Sequence, residues 1–121
     1  MAYDVEFYQK ENREIPLLDF QESLPPKLRA KTFREIELLK EHGPNLREPY
    51  TKPIKETDNR GIFELRVKFS TDISRVLYFS YTGTTFVLLH GFVKKTNATP
   101  SREIDKARKF KEDYERRCLH E

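Results

Sequence analysis

Five cationic side chains in one stretch are the residues of this chain best suited to chemistry. From Gly61 to Lys95 the sequence reads GIFELRVKFSTDISRVLYFSYTGTTFVLLHGFVKK. Arg66, Lys68, Arg75, Lys94 and Lys95 there face only two acids, Glu64 and Asp72, a net charge of +3. The whole 121-residue chain carries the same +3, because residues 1–60 hold eleven bases against twelve acids and residues 96–121 hold seven against six. Arginine and lysine gathered on strands can bind phosphates and stabilise the extra negative charge a phosphate acquires in a transition state. Metal-free RNA cleavage asks for little more, since the attacking 2′-hydroxyl comes with the substrate. The protein must orient the strand, remove a proton, neutralise the phosphorane and protonate the leaving oxygen. A lysine whose pKa is depressed by neighbouring cations can act as the base. A basic strand face is more often a binding surface than a catalytic one, so both readings stand at this point.

Other chemistries find little material. The three histidines, His42, His90 and His120, are scattered, and no Cys/His or His/carboxylate group has metal-ligand spacing, so neither a metal nor another cofactor is expected. Four glycines form no phosphate-binding loop, no Gly-x-Ser-x-Gly elbow occurs, and acids on the strands are too sparse for a carboxylate pair. His90, in the apolar run LLHGF, reads as a core histidine, with an acid/base role as the sharper alternative. Tyr78, Tyr81 and Tyr114 read as packing or rim residues. Cys118 stands alone, which rules out an intrachain disulfide framework and suits a reducing compartment. MAYDVEFYQKENRE has no apolar core of a signal peptide, and no apolar run approaches the ~20 residues that span a bilayer. A cytoplasmic, soluble chain without membrane contact is the expectation. The pI near 9.0 permits a polyanionic partner.

The elements that must position the cations follow from periodicity. In GIFELRVKF, Phe63, Leu65, Val67 and Phe69 alternate with Glu64, Arg66 and Lys68, which predicts a strand with one face on the core and the other open. DISRVLYFSY is the next strand, and a turn at Ser70–Thr71 makes the two a hairpin. A two-residue loop puts Arg66 directly opposite Arg75. Like charges so placed repel, which implies an anion between them. TTFVLLHGFVKK is apolar on both faces and reads as a central strand covered on both sides. Upstream, Tyr3–Tyr8 alternates as a short strand. Pro16–Leu24 and Lys27–His42 read as helices, the second with Leu28, Thr32, Ile36 and Leu39 on its buried face, separated by Pro25-Pro26 and stopped by Gly43-Pro44. Residues 45–60 read as a loop, a connector more readily than a substrate contact, though Lys52 and Lys55 could touch a long ligand. Thr99 is the expected N-cap, with Pro100 at the first position, of a last helix running to about Arg117. Its buried stripe is Ile104, Ala107, Phe110, Tyr114 and Cys118, and Arg102 in its first turn is a further RNA contact. The order is β-α-α-β-β-β-α: one α+β domain over residues 1–121, with two N-terminal helices on one side of a small mixed sheet and the last helix near the other.

Residues 60–115 resemble a known family. The ELR-K strand, Arg75 before Val-Leu-Tyr-Phe, the LLHGFVKKT strand end and the TP-REI-A helix opening are similar to the phage-derived, HigB-like branch of the RelE/ParE toxin superfamily. The first sixty residues fit by element order and an IPLLDF-like segment. The resemblance implies a RelE-like fold and the toxin of a type II toxin–antitoxin pair, acting as a metal-independent endonuclease on mRNA at the ribosome. It implies a small helix-turn-helix antitoxin as partner, with operator DNA reached only through that antitoxin. Arg75 matches the family's strand arginine that stabilises the phosphate, Arg66 and Lys68 its basic strand residues, and Lys94 and Lys95 its basic cluster. The family's tyrosine after the last strand has no counterpart in TNATPS, residues 96–101, which leaves a lysine or His90 for acid/base work. ParE relatives use the same fold to poison DNA gyrase, the alternative target; a non-catalytic nucleic-acid-binding module is the third.

Overall fold

Residues 3–54, 61–94 and 99–119 are described by the computed structural model, residue 94 in its main chain only. The chain runs β1 (Asp4–Phe7), α1 (Pro16–Ser23), α2 (Pro26–His42), a 3-10 turn (Gly43–Asn45), β2 (Thr51–Pro53), β3 (Ile62–Phe69), β4 (Asp72–Thr82), β5 (Thr85–Lys94) and α3 (Ser101–Leu119). The strands form one mixed sheet in the order β1-β5-β4-β3-β2, with β1 parallel to β5 and the other pairs antiparallel. The α+β class and the helix and strand order expected from sequence are present. Two details differ. The segment expected as a loop contains the short edge strand β2, and the middle place in the sheet belongs to β4, with β5 between it and β1.

Alternation decides which helix each strand face meets. Leu65, Val76, Tyr78, Phe86 and Leu88 pack with Leu17 of α1 and with Ile36 and Leu39 of α2. Ile62, Leu77, Phe79, Val87 and Leu89 pack on the other face with Ala107, Phe110 and Tyr114 of α3. Each fully buried leucine or phenylalanine contributes about 1.5–3 kcal/mol of hydrophobic stabilisation. Phe69, expected in the core, lies past the helices and is exposed.

Side chains finish the helix ends and tie the layers. Pro25 opens α2, and Arg29 donates to the carbonyls of Gln21, Glu22 and Leu24 at the end of α1, satisfying groups that the helix leaves unpaired. The Thr32 hydroxyl donates to the Leu28 carbonyl and lies 3.3 Å from Ser74 Oγ on β4. Gly43 ends α2 at φ +55°, and its missing side chain makes room for the Tyr3 ring, which would stand 2.4 Å from a Cβ there. On the opposite layer the Tyr8 hydroxyl donates to Asp113 at 2.6 Å and the Tyr114 hydroxyl to Glu6 at 3.1 Å, fixing α3 to β1.

One irregularity redirects a functional candidate. Leu77 faces His90 across β4–β5 while Tyr78 faces Leu88, so Leu89 is an extra residue in β5. This bulge turns His90 toward α3, where strict alternation from Leu88 would have carried it to α1.

Candidate functional site

The hairpin register follows from the Ser70–Thr71 turn. Phe69 pairs with Asp72, Ser70 takes the left-handed conformation at φ +59°, and Arg66 stands directly opposite Arg75, as expected. Arg75 faces Phe92 on its other side. The anion that makes this pairing tolerable belongs to the protein. Glu64, two residues before Arg66 on the same strand face, is 3% exposed and sits beside both guanidiniums. Arg75 Nη1 donates to its two carboxylate oxygens at 3.4 Å each, and Arg66 Nε lies 3.6 Å from Oε1. Thr99 completes the cluster: its hydroxyl accepts from Arg75 Nη1 at 3.1 Å and donates to Glu64 Oε2 at 2.8 Å.

Three sequence expectations are corrected here. Glu64 does not lie on an open face. Arg75 is fully buried, so it stands one layer below the surface rather than on it. Thr99 does not cap α3, because its hydroxyl is spent on the cluster; the Pro100 carbonyl accepts the amides of Glu103 and Ile104 instead. Burial is the common reason. Thr99, Pro100 and the first turn of α3 return over the face that the strand pattern left open, and ions withdrawn from water must be paired.

The remaining cations divide by depth. Arg66 keeps 27% of its side-chain surface. Lys68, opposite Ile73 near the turn, is exposed, and its carbonyl accepts from Lys31 Nζ. Lys52 is half-buried on β2 directly opposite Glu64, so it joins the same face. Arg102 is exposed in the first turn of α3. Lys94 pairs through its main chain with Ile73, while Lys55 and Lys95 lie outside the described residues. The described site is therefore a buried Arg75–Glu64–Thr99 core with Arg66, Lys68 and Lys52 above and beside it. It can hold an anion at Arg66 and Lys68.

His90 is elsewhere, under α3. It is 2% exposed, with Nε2 3.4 Å from Glu103 Oε1 and its ring edge-on to Phe110 at 5.8 Å. Burial holds its pKa down at about 4, Lys106 adds to the depression and Glu103 opposes it, so the ring is neutral near pH 7. The sequence reading missed Glu64 and Thr99. Glu64 had a signal, since the register that sets Arg66 against Arg75 also sets Glu64 diagonally to Arg75. Thr99 had none, because its partner lies thirty-five positions away. No group of three or more His, Cys, Asp or Glu able to hold a metal occurs among the described residues. No described helix is long and apolar enough to cross a membrane.

Comparison with known proteins adds three findings. Residues 19–112 match the family described as Phage derived protein Gp49-like (DUF891). Among solved structures, the chain is similar to the one described as the crystal structure of an archaeal RelE-RelB complex from Pyrococcus horikoshii OT3. That match has 18% identity and a TM-score of 0.52, and covers 81% of this chain and 100% of that one; at this identity the likeness is one of fold. No curated protein matches the sequence.

Proposed function

We propose, from the premise that this chain belongs to the phage-derived Gp49-like family and has a RelE-like fold, that it is the toxin of a type II toxin–antitoxin pair in the HigB-like branch. In this reading it is a cytoplasmic, metal-independent and ribosome-dependent mRNA endonuclease that arrests translation. Its partner is a small helix-turn-helix antitoxin, through which alone it meets operator DNA. That the solved neighbour is a complex of RelE with RelB supports the partner.

The observation that carries the reading is the placement of Arg66 and Lys68 above a buried anchor. Two residues apart on one strand face, they offer cations to the scissile phosphate and its neighbour. The Glu64 carboxylate, itself held by Arg75 and Thr99, lies 3.6 Å from Arg66 Nε, an ion contact that orients the cation. Preorganised charge of this kind is what stabilises a phosphorane. Arg75 then serves as the anchor of the cluster, touching the phosphate only if Glu64 gives way. Lys94 and Lys95, with Lys55, join the set from the sequence alone; Lys52 on β2 and Arg102 in the first turn of α3 are its further RNA contacts, and a lysine of the set is the base. His90, neutral and under α3, is the weaker candidate for acid/base work.

The burial of Arg75 favours a second reading: with that charge already compensated, the rim serves as a binding surface, either on DNA gyrase or on nucleic acid without cleavage. Primer extension on transcripts from cells expressing the protein separates the readings. New 5′ ends in translated messages, lost in Arg66→Ala/Lys68→Ala, support the endonuclease. Intact messages with stabilised gyrase cleavage complexes refute it.

A further inference from the structure

Past Leu88 the outer edge of β5 has no strand beside it among the described residues, because β1 ends at Phe7. The segment around Lys10 and Glu14, together with α1 and α3, surrounds that edge and leaves a cavity of about 310 Å³ over His90 and Gly91. None of the cations at the Glu64 cluster lines it. The imidazole of His90 is nearly inaccessible; its Nε2 has the Glu103 carboxylate at 3.4 Å, outside good hydrogen-bond geometry, and its Nδ1 has no hydrogen-bond partner among the described residues. Buried polar groups almost always find one. Neutral at physiological pH, the ring offers one N–H and one lone pair. Phe20, packed on Gly91, and Pro16 make an apolar wall. At the rim Lys10 pairs with Glu14 at 3.5 Å, whereas Asp19 and Lys106 make no ion pair among the described residues. The rim charges cancel, so an anion gains nothing there. An uncharged flat ring with donors and acceptors on its edge suits the apolar wall of Phe20 and Pro16 and the side chains of Asp19 and Lys106, unpaired among the described residues.

We propose that this cavity is a nucleobase subsite. It takes one base of the RNA strand whose sugar–phosphate backbone lies on Arg66 and Lys68, with the ring against Phe20 and the base edge on Asp19 and Lys106, next to the buried His90. The proposal rests on the RNA reading above, which supplies the strand. The two sites belong to one sheet: Phe92, next to Gly91, faces Arg75, and Arg75 faces Arg66. Two strand spacings, about 10 Å, separate β5 from β3, within reach of neighbouring nucleotides.

The test is NMR on the isotope-labelled full chain, titrated separately with a nucleoside, with inorganic phosphate and with a 2′-O-methyl trinucleotide, which lacks the attacking hydroxyl. The nucleoside is expected to move the Gly91 and Lys106 amides and the His90 ring and to leave Arg66 and Lys68 in place. Phosphate moves Arg66 and Lys68 only, and the trinucleotide moves both sets. Asp19→Asn and Lys106→Ala, both at exposed positions, each weaken nucleoside binding about fivefold, the worth of one net hydrogen bond. A nucleoside that leaves Gly91 and His90 unmoved overturns the subsite. So does phosphate moving them equally, or a trinucleotide that moves only the rim. Phosphate failing to move Arg66 and Lys68 counts against the RNA reading instead, and the nucleoside arm still decides the cavity.

Discussion

Glu64 and Arg75 form an ion pair at 3.4 Å with side chains 4% and 0% exposed. A carboxylate supplied by the hairpin's own first strand thus neutralises the arginine that the sequence pattern alone puts on an open face.

Stability follows from that pair. Removing one member of a buried ion pair leaves the other charged and unpaired, at a cost of about 3–5 kcal/mol, a large share of the 5–15 kcal/mol, roughly, that holds a domain together. Arg75→Ala and Glu64→Ala are each expected to unfold at much lower urea concentration. Glu64→Leu combined with Arg75→Met removes both charges and recovers most of the loss; under the endonuclease proposal, growth arrest disappears because Arg66 loses its Glu64 contact. Single variants as stable as the parent would remove the anchor from the account.

Arg66 and Lys68 behave differently. Both retain contact with water, so Arg66→Ala and Lys68→Ala shift unfolding by about 1 kcal/mol or less. The combined variant should remain folded by circular dichroism and produce no transcript cleavage. Cleavage at the parent rate by a folded double variant would place the chemistry elsewhere.

His90 gives the protein an acid-sensitive step. Its folded pKa of about 4 lies below the unfolded 6.5, chiefly through burial, so between these values the unfolded chain binds the proton that the folded chain refuses. Stability contributed by this residue is complete above about pH 6.5 and falls as the pH drops toward 4, by up to about 1.4 kcal/mol per unit. Urea titrations across that range should show the slope in the parent and a shallower one in His90→Leu. Equal slopes would mean that other groups carry it.

Gly91 is a packing requirement. A Cβ there would stand 2.4 Å from the Phe20 ring and 3.0 Å from the Arg75 carbonyl. Gly91→Ala is expected to destabilise by about 1–3 kcal/mol, the usual range for overpacking. Phe20→Leu should relieve part of that, giving a double variant less destabilised than the sum of the singles. Strict additivity would show that the ring is not what the methyl meets.

Local periodicity carried much of this fold. Alternation in GIFELRVKF and a two-residue turn were enough to set Arg66 against Arg75, and the repulsion between them was enough to demand an anion. Pro25-Pro26, Gly43 and the Leu28–Thr32–Ile36–Leu39 stripe located both N-terminal helices and the face they bury. β2 escaped because three residues, the last of them Pro53, carry no period of their own; it exists only as a partner for β3. Phe69 misled because its alternation continues beyond the last turn of helix able to cover it.

What the sequence by itself determined is which residues share a strand face and which cations stand opposite each other, since a period of two and a turn length are properties of neighbouring positions. Only the tertiary structure decided the depth of each charge. Depth depends on what folds back over the face, and it was the return of Thr99 and α3, far along the chain, that buried Glu64 with Arg75 and left Arg66 and Lys68 at the surface.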